Sequence, residues 1–307
     1  MKIITLTLLL AVSIVFAQQP AATPPPPPLI KENATVKISE HVYVIPDGNI
    51  GGVPNVGIIV GSNATLVVDT GLGVRNGQTV LREVTKINSS NPIYIVATHF
   101  HAEHTLGEGA FPATTKVLRP RAQQRDMDEF GITPNFSGRS PVHTELVQNA
   151  AYRRADEIFD NEKVLDLGGV RARMQWIGGG THTNGDAIIF VEGDGVLFAG
   201  DLLMSRRFLN FASPTSSLRA WLNSYDKLEP LRPRHIVPCH GEMGDGSLIE
   251  MNRKYLRELQ ARAATLKREG KSADETAELI TAEFRTRYPD WIGNPAPAAR
   301  AAYNEAN

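Results

Sequence analysis

Three histidines and one glutamate, His99, His101, Glu103 and His104, fall within six residues, in the run ATHFHAEHTLG directly after the apolar stretch 93–97. A strand tip leading into a turn and a helix start brings such side chains to one point. While the chain stays extended, His99 and His101, two apart, project to the same side. Once the backbone turns, Glu103 and His104 face a second point close by. Imidazole nitrogen and carboxylate oxygen suit zinc, and also iron or manganese. The single cysteine removes the thiol alternatives, because one thiol closes no intramolecular disulfide and builds neither a four-thiolate zinc knuckle nor a Cys-x-x-Cys redox pair. Any metal must be held by histidines and carboxylates.

The text around this cluster sets the organisation. Residues 1–17, MKIITLTLLLAVSIVFA, place a lysine before an unbroken apolar run and end on small residues, the pattern of a secretory signal peptide. The run is shorter than the roughly 20 residues of a spanning helix. Cleavage is therefore expected, with a secreted, periplasmic protein and no stable membrane insertion afterwards. Residues 18–35 hold five consecutive prolines, Pro24 through Pro28, and read as a stiff polyproline linker, so that the folded domain starts at Val36. With 32 Lys+Arg against 33 Asp+Glu, the net charge of −1 creates no field that gathers a polyanion. The expected partner is a small-molecule substrate and not a nucleic acid.

From Val36 the chain reads as two hairpins, VKI with HVYVI and VGIIVG with TLVVDTG, divided by turn residues. Val80, Leu81 and Val84 then stand at helical spacing, and IYIVA follows as a buried strand. A polar, arginine-rich region over 119–160 reads as an inserted helical cap. Strands resume with KVLDL, VRARMQWI, AIIFV and VLFAG; a helix over 216–228 leads to HIVP, and two long amphipathic helices over 246–307 pack on the same domain. The first carries Leu248, Tyr255, Leu259 and Leu266 on one stripe, and the second opens with a capping box, Ser272 with Glu275. Strand pairs with interleaved helices, repeated in the second half, predict two sheets packed on each other with helices outside, four layers in all.

The spaced motifs resemble those of the metallo-β-lactamase superfamily: H-x-H-x-D-H after a strand, then a distant His, an Asp and a last His. Gly-Gly-Gly-Thr-His182-Thr-Asn-Gly-Asp186 is similar to the third-histidine segment, Phe198-Ala-Gly-Asp201 to the aspartate segment and Val237-Pro-Cys-His240-Gly to the final one. Val67-Val68-Asp69-Thr70-Gly71 matches the upstream Asp-Thr-Gly turn. The resemblance spans 36–244 and implies an αββα sandwich of two mixed sheets. It implies a first metal on His99, His101 and His182, a second on His104, His240 and Glu103, and Asp201 bridging, most simply two zinc ions. Glu103 stands where the family usually has Asp. The longer carboxylate either ligates, the reading adopted because charge and oxygen donors are kept, or acts from outside and leaves the second site weaker.

The implied mechanism is attack by a water that two dications have brought toward hydroxide. No Gly-x-Ser-x-Gly elbow is present, in agreement. Asp201, Glu103 and Asp186 are the candidate catalytic carboxylates, with Asp201 or Asp186 shuttling the proton. Asp69 reads as a support for a ligand histidine, and Cys239 as a small packed thiol. Arg206 and Arg207 either reach an anionic group of the substrate or are solvated loop arginines. The loop Gly48, Asn49, Ile50, Gly51 and Gly52 is either a flap over the metals or a plain turn. Aspartate at 201 resembles glyoxalase II and lactonases more than lactamases with cysteine there. The expected activity is hydrolysis of an ester, thioester, lactone or amide. A β-lactam substrate and a metal- or ligand-binding protein without turnover are the alternatives.

Overall fold

The computed structural model describes residues 29–131, 140–148, 150–211 and 213–306; the signal peptide and most of the proline linker lie outside them. Alternation along the strands explains the layering, since neighbouring residues of a strand point to opposite faces. Among the described residues, β1 (Val36–Lys37), β2 (Val42–Ile45), β3 (Val56–Val60), β4 (Thr65–Val68), β5 (Ile93–Val96), β6 (Lys116–Pro120) and β7 (Glu157–Phe159) form one sheet in that order. Its first four strands pair antiparallel and its last four parallel. The second sheet runs β12 (His235–Pro238), β11 (Val196–Gly200), β10 (Ala187–Glu192), β9 (Arg171–Trp176), β8 (Glu162–Asp166), antiparallel except for β11 and β12. Both sheets are mixed.

Ile59, Leu66, Val68 and Val96 meet Met174, Ile189, Val191 and Phe198 in the core between the sheets. Their strand neighbours Ile58, Val67 and Ile95 face outward onto Val80 and Val84 of helix α1 (Gly73–Ile87). On the far side Ile188, Leu197 and Ile236 pack on Trp221 and Tyr225 of α5 (Leu218–Leu228) and on Tyr255 and Leu259 of α6 (Ser247–Arg268). Burial on both faces is why these strands read as unbroken apolar runs. The four expected layers are present, helices outside and two sheets within. The capping box of α7 (Ala273–Arg287) is also formed, Ser272 and Glu275 bonding each other's backbone N–H.

Three expectations are corrected. Packed chain begins before Val36: the N–H groups of Leu29 and Ile30 both donate to Asn76 Oδ1 at 2.8 Å, and Ile30 is buried against the α1 layer. The region 119–160 is not wholly a helical cap. Its ends are β6 and β7, which extend the first sheet, and among its described residues only α3 (Arg121–Phe130) and α4 (Pro141–Val147) are α-helical. Short strands with one or two apolar positions carry too little periodicity to show against flanking helices. A third C-terminal helix, α8 (Ala296–Glu305), buries Ala298, Ala299 and Ala302; small side chains left it without a visible stripe.

One close approach matters for the site. A Cβ on Gly77 of α1 would stand 2.1 Å from the carbonyl oxygen of Gly107, in the 3₁₀ turn Leu106–Ala110 that follows the histidine cluster. Gly77→Ala should gain about 1 kcal/mol of helix propensity and lose about 3 kcal/mol to overpacking against backbone that cannot rotate away. A net loss of roughly 2 kcal/mol, read from the denaturant midpoint at unchanged m, is expected; a stabilised variant would show that the turn yields freely.

Candidate metal centre

All the expected ligands come from strand ends on one side of the sandwich. His99 and His101 follow β5, and Glu103 and His104 lie in the single turn α2 (Ala102–Thr105). His182 sits in the loop between β9 and β10, Asp201 directly after β11, and His240 after β12. Loops at carboxyl ends of adjacent strands are free to vary while the sheet holds their roots. Here the roots are held by Asp69 at the end of β4. Its Oδ1 accepts the Thr98 N–H at 2.8 Å and its Oδ2 lies 2.9 Å from His104 Nδ1. Asp69 adopts a positive φ of 63°, a conformation that Asp tolerates better than most residues.

The first group is made by nitrogens alone. His101 Nδ1 stands 3.0 Å from His99 Nε2 and 3.1 Å from His182 Nε2. Burial, and next the neighbouring imidazoles, hold His99 and His101 well below the ordinary histidine value, so both rings are neutral with lone pairs to offer. His182 Nδ1 donates to the Asn210 carbonyl at 2.7 Å; a carbonyl only accepts, so Nε2 is the bare nitrogen. His240 is set the same way, Nδ1 donating to the Val53 carbonyl at 2.9 Å.

The second group is defined by atoms without partners. Among the described residues, Glu103 Oε2, His104 Nε2 and Asp201 Oδ1 are buried side-chain atoms with no hydrogen bond. Leaving such atoms dry costs about 1–3 kcal/mol each unless a ligand satisfies them. Glu103, His104 and His240 offer ligand atoms within 4.8 Å of one another, as do His99, His104 and Asp201. Asp201 lies between the groups, Oδ2 at 3.2 Å from His182 Nε2 and Oδ1 at 3.8 Å from His240 Nε2. Burial alone would raise its carboxyl, but His182, His240, His104 and His101 outweigh burial and keep it low and ionised. Burial would likewise lower His104; Asp69, Glu103 and Asp201 reverse this and push it up to about 9. A cation held at Nε2 would take the place of that proton. Converging neutral nitrogens and orphaned oxygens fit divalent metal ions.

The remaining candidates separate. Asp186 accepts from Thr183 N–H, Thr183 Oγ1 and Thr181 Oγ1 at 2.9, 2.6 and 2.5 Å. Both its oxygens are used in holding the His182 loop. Cys239 is a buried thiol donating to Asp69 Oδ2 at 3.3 Å, kept protonated by burial and next by the Asp69 charge. The arginine pair is split. Arg207 lines both the cavity of about 480 Å³ that holds Glu103, Asp201 and His240 and the adjoining one of about 550 Å³, whereas Arg206 is exposed and lines the adjoining one alone. Ile50, Gly51 and Gly52 form part of the inner cavity wall. Asn55 went unnoticed in the sequence, yet it ties the His240 loop down by donating to the Pro238 and Gly241 carbonyls. The Asn210 and Val53 carbonyls were invisible too, because every residue has one.

A sequence profile of the metallo-β-lactamase superfamily matches residues 49–240, more than half of the 307. The chain is 21% identical over 210 residues to a type 2 metallo-β-lactamase of Bacteroides fragilis, covering 67% of this chain and 76% of that one. It is 21% identical over 282 residues to a linear primary-alkylsulfatase of a Pseudomonas species, covering 78% of this chain and about half, 51%, of the sulfatase. Among solved structures, a metallo-β-lactamase from Pontibacter korlensis superposes with TM-score 0.58 at 21% identity, covering 73% of this chain and 98% of that one. A stereoselective inverting sec-alkylsulfatase from Pseudomonas reaches 0.68 at 17%, covering 88% of this chain and 50% of the other. With the two mixed sheets, the order of the ligand motifs and the profile in agreement, the chain belongs to the metallo-β-lactamase superfamily.

Proposed function

We propose that this protein is an exported, metal-dependent hydrolase that holds two zinc ions and cleaves an ester, thioester, lactone or amide bond in a small molecule. The observation that carries the reading is the convergence of His99, His101, His182, Glu103, His104, Asp201 and His240 in overlapping groups whose ligand atoms lie within 4.8 Å of one another, with three of their buried atoms making no hydrogen bond. His99, His101 and His182 would hold one metal, and His104, His240 and Glu103 the other, with Asp201 reaching both. When bound, such ions supply Lewis acidity and bring a water toward hydroxide near neutral pH. The residues supply the rest. Asp69 fixes His104 with its Nε2 facing inward, and the Asn210 and Val53 carbonyls do the same for His182 and His240. Asp201, ionised and facing the cavity, is the carboxylate placed to accept the proton that the attacking water gives up.

Export rests on residues 1–17; among the described residues no helix is long and apolar enough to cross a membrane. A β-lactam substrate is the second reading, favoured by the Bacteroides relative. Metal analysis of protein purified without added metal, followed by a panel of chromogenic esters, thioesters, a lactone, a cephalosporin and an alkyl sulfate, tests the proposal. About two zinc equivalents, and turnover lost to a chelator and restored by zinc, are expected. Absence of any transition ion would overturn the metal assignment. Bound metal with tight ligand binding and no turnover would make it a binding protein instead.

A further inference from the structure

The three nitrogens of the first ligand group come from two different sheets. His99 and His101 follow β5 of the first sheet, whereas His182 stands in the loop that joins β9 to β10 of the second. A strand-end loop holds its place only if something outside it ties it down. Helix α3 lies against both halves. It begins directly after β6, the neighbour of β5, and so is rooted in the first sheet. Within its first turn the fully buried Gln123 donates from Nε2 to the Ala97 carbonyl at 3.1 Å, two residues before His99. One turn later Asp126, buried as well, accepts the Gly185 N–H on Oδ2 at 2.7 Å, three residues after His182.

Helix and loop meet backbone to backbone. A Cβ on Gly185 would stand 2.3 Å from Gln123 Cα and 2.6 Å from Gln123 N, so a side chain there would force the two apart. Asn184 also bonds to Asp126, through its side chain and its backbone. The same Gly185 N–H reaches Thr183 Oγ1 at 3.2 Å, and that hydroxyl donates to Asp186 at 2.6 Å, which carries the tie to the neighbour of His182. The other arm of the loop is held separately. Ser216 Oγ and Ser217 N–H donate to the Thr181 and Gly180 carbonyls at 2.6 and 2.8 Å. Burial raises the Asp126 carboxyl most, the Gly185 bond opposes this and the Asp186 charge adds to the rise, which leaves it at about 6. Ionised above that pH, it accepts charge-assisted bonds, stronger than neutral ones.

We propose that Asp126 and Gln123 are positioning residues for the first metal: α3 clamps the His182 loop to the end of β5 and so sets where His182 stands relative to His99 and His101. This rests on the metal-centre reading above and adds two side chains that bond to none of the seven ligands. Zinc affinity, measured by competition with a chromogenic chelator, tests it without any substrate. Asp126→Ala should weaken one of two resolved zinc affinities about tenfold, the lower end for a group acting through a ligand's surroundings, and leave the other unchanged. In a His240→Ala background, where the second position is lost, the remaining site should show the same fall.

Asp126→Asn, whose side-chain carbonyl still accepts the Gly185 N–H, should recover most of the affinity. Gln123→Met, similar in length but without the donor, should weaken the same site. Met127→Ala, which empties a buried position on the same helix, is the control: it should lower the thermal midpoint and leave zinc affinity alone. Unaltered affinity in Asp126→Ala, or a loss that Met127→Ala matches, overturns the clamp while the metal centre stands. A wild-type protein that takes up no zinc overturns the metal reading, and the clamp with it. If Asp126→Ala does not fold, Gln123→Met decides, and full zinc affinity in that variant overturns the proposal.

Discussion

Replacing His182 with alanine should lower hydrolytic turnover by well over about 100-fold and remove metal from the first position. Loss of a hydrogen-bond partner outside the ligands already costs about 10- to 100-fold in affinity or activity, and His182 is placed to do more. Its Nε2 is the atom that meets both His101 Nδ1, at 3.1 Å, and Asp201 Oδ2, at 3.2 Å. It therefore joins the all-nitrogen group to the carboxylate shared with the second group. The loop should survive the change, because Asp186 holds it through Thr181 and Thr183 and not through the imidazole. Zinc content by elemental analysis, circular dichroism and turnover of the best substrate in the panel are the three measurements. Unchanged metal content with turnover within a few-fold of wild type would refute the site assignment.

Arg119→Met should be the most destabilising of the simple substitutions outside the metal centre. Arg119 is 1% exposed, and its Nη2 donates to both oxygens of the fully buried Glu108, at 3.0 and 2.9 Å. Its Nη1 reaches the Arg153 carbonyl at 3.1 Å. Removing one member of a buried pair strands the other, at about 3–5 kcal/mol, which corresponds to a fall in Tm of roughly 10 °C for a domain of this size. Burial already outweighs Arg119 and pushes the Glu108 carboxyl up to about 7. A carboxyl raised above its unfolded value stabilises fully below that value, near 4.5, and the contribution is lost as pH rises through 7. Without Arg119 the carboxyl moves higher still, so the deficit should be largest at pH 8 and smaller at pH 5. Thermal scans at both pH values check this, and adding Glu108→Leu should recover most of the loss. An equal deficit at the two pH values, or no recovery in the double variant, would count against the stranded-charge account.

The extent to which these features were legible follows from their range along the chain. His99, His101, Glu103 and His104 lie within six consecutive positions, so their chemistry shows in the text itself. His182, Asp201 and His240 are each isolated, and were found because the glycine-rich or strand-ending text around them resembles a known pattern. Asp69 was legible as a support because it ends an apolar strand. Asp186 shows in the text only as an acid four residues after His182; that its oxygens accept from Thr181 and Thr183 is a tertiary fact. Arg206 and Arg207 are indistinguishable as neighbours in a string, yet only Arg207 lines the inner cavity. Strands β6 and β7 are hidden in the text because a parallel strand of three to five residues is stabilised by partners far away and not by its own periodicity.

From the amino-acid order alone come the layer architecture, written in the succession of apolar strand runs and helical stripes, and the His99–His104 cluster, written in residue chemistry; both are local properties that survive without coordinates. Tertiary structure alone decided which nitrogen of His104, His182 and His240 is bare, that Asp201 stands between the candidate ligand groups, and that the chain after α7 lines the cavity. Those outcomes depend on carbonyls, on Asp69 and on Ile292, groups brought near the site from distant parts of the chain. Hydrogen bonds and burial act through space over a few ångströms, and no spacing in the linear text encodes which distant groups will stand at that range.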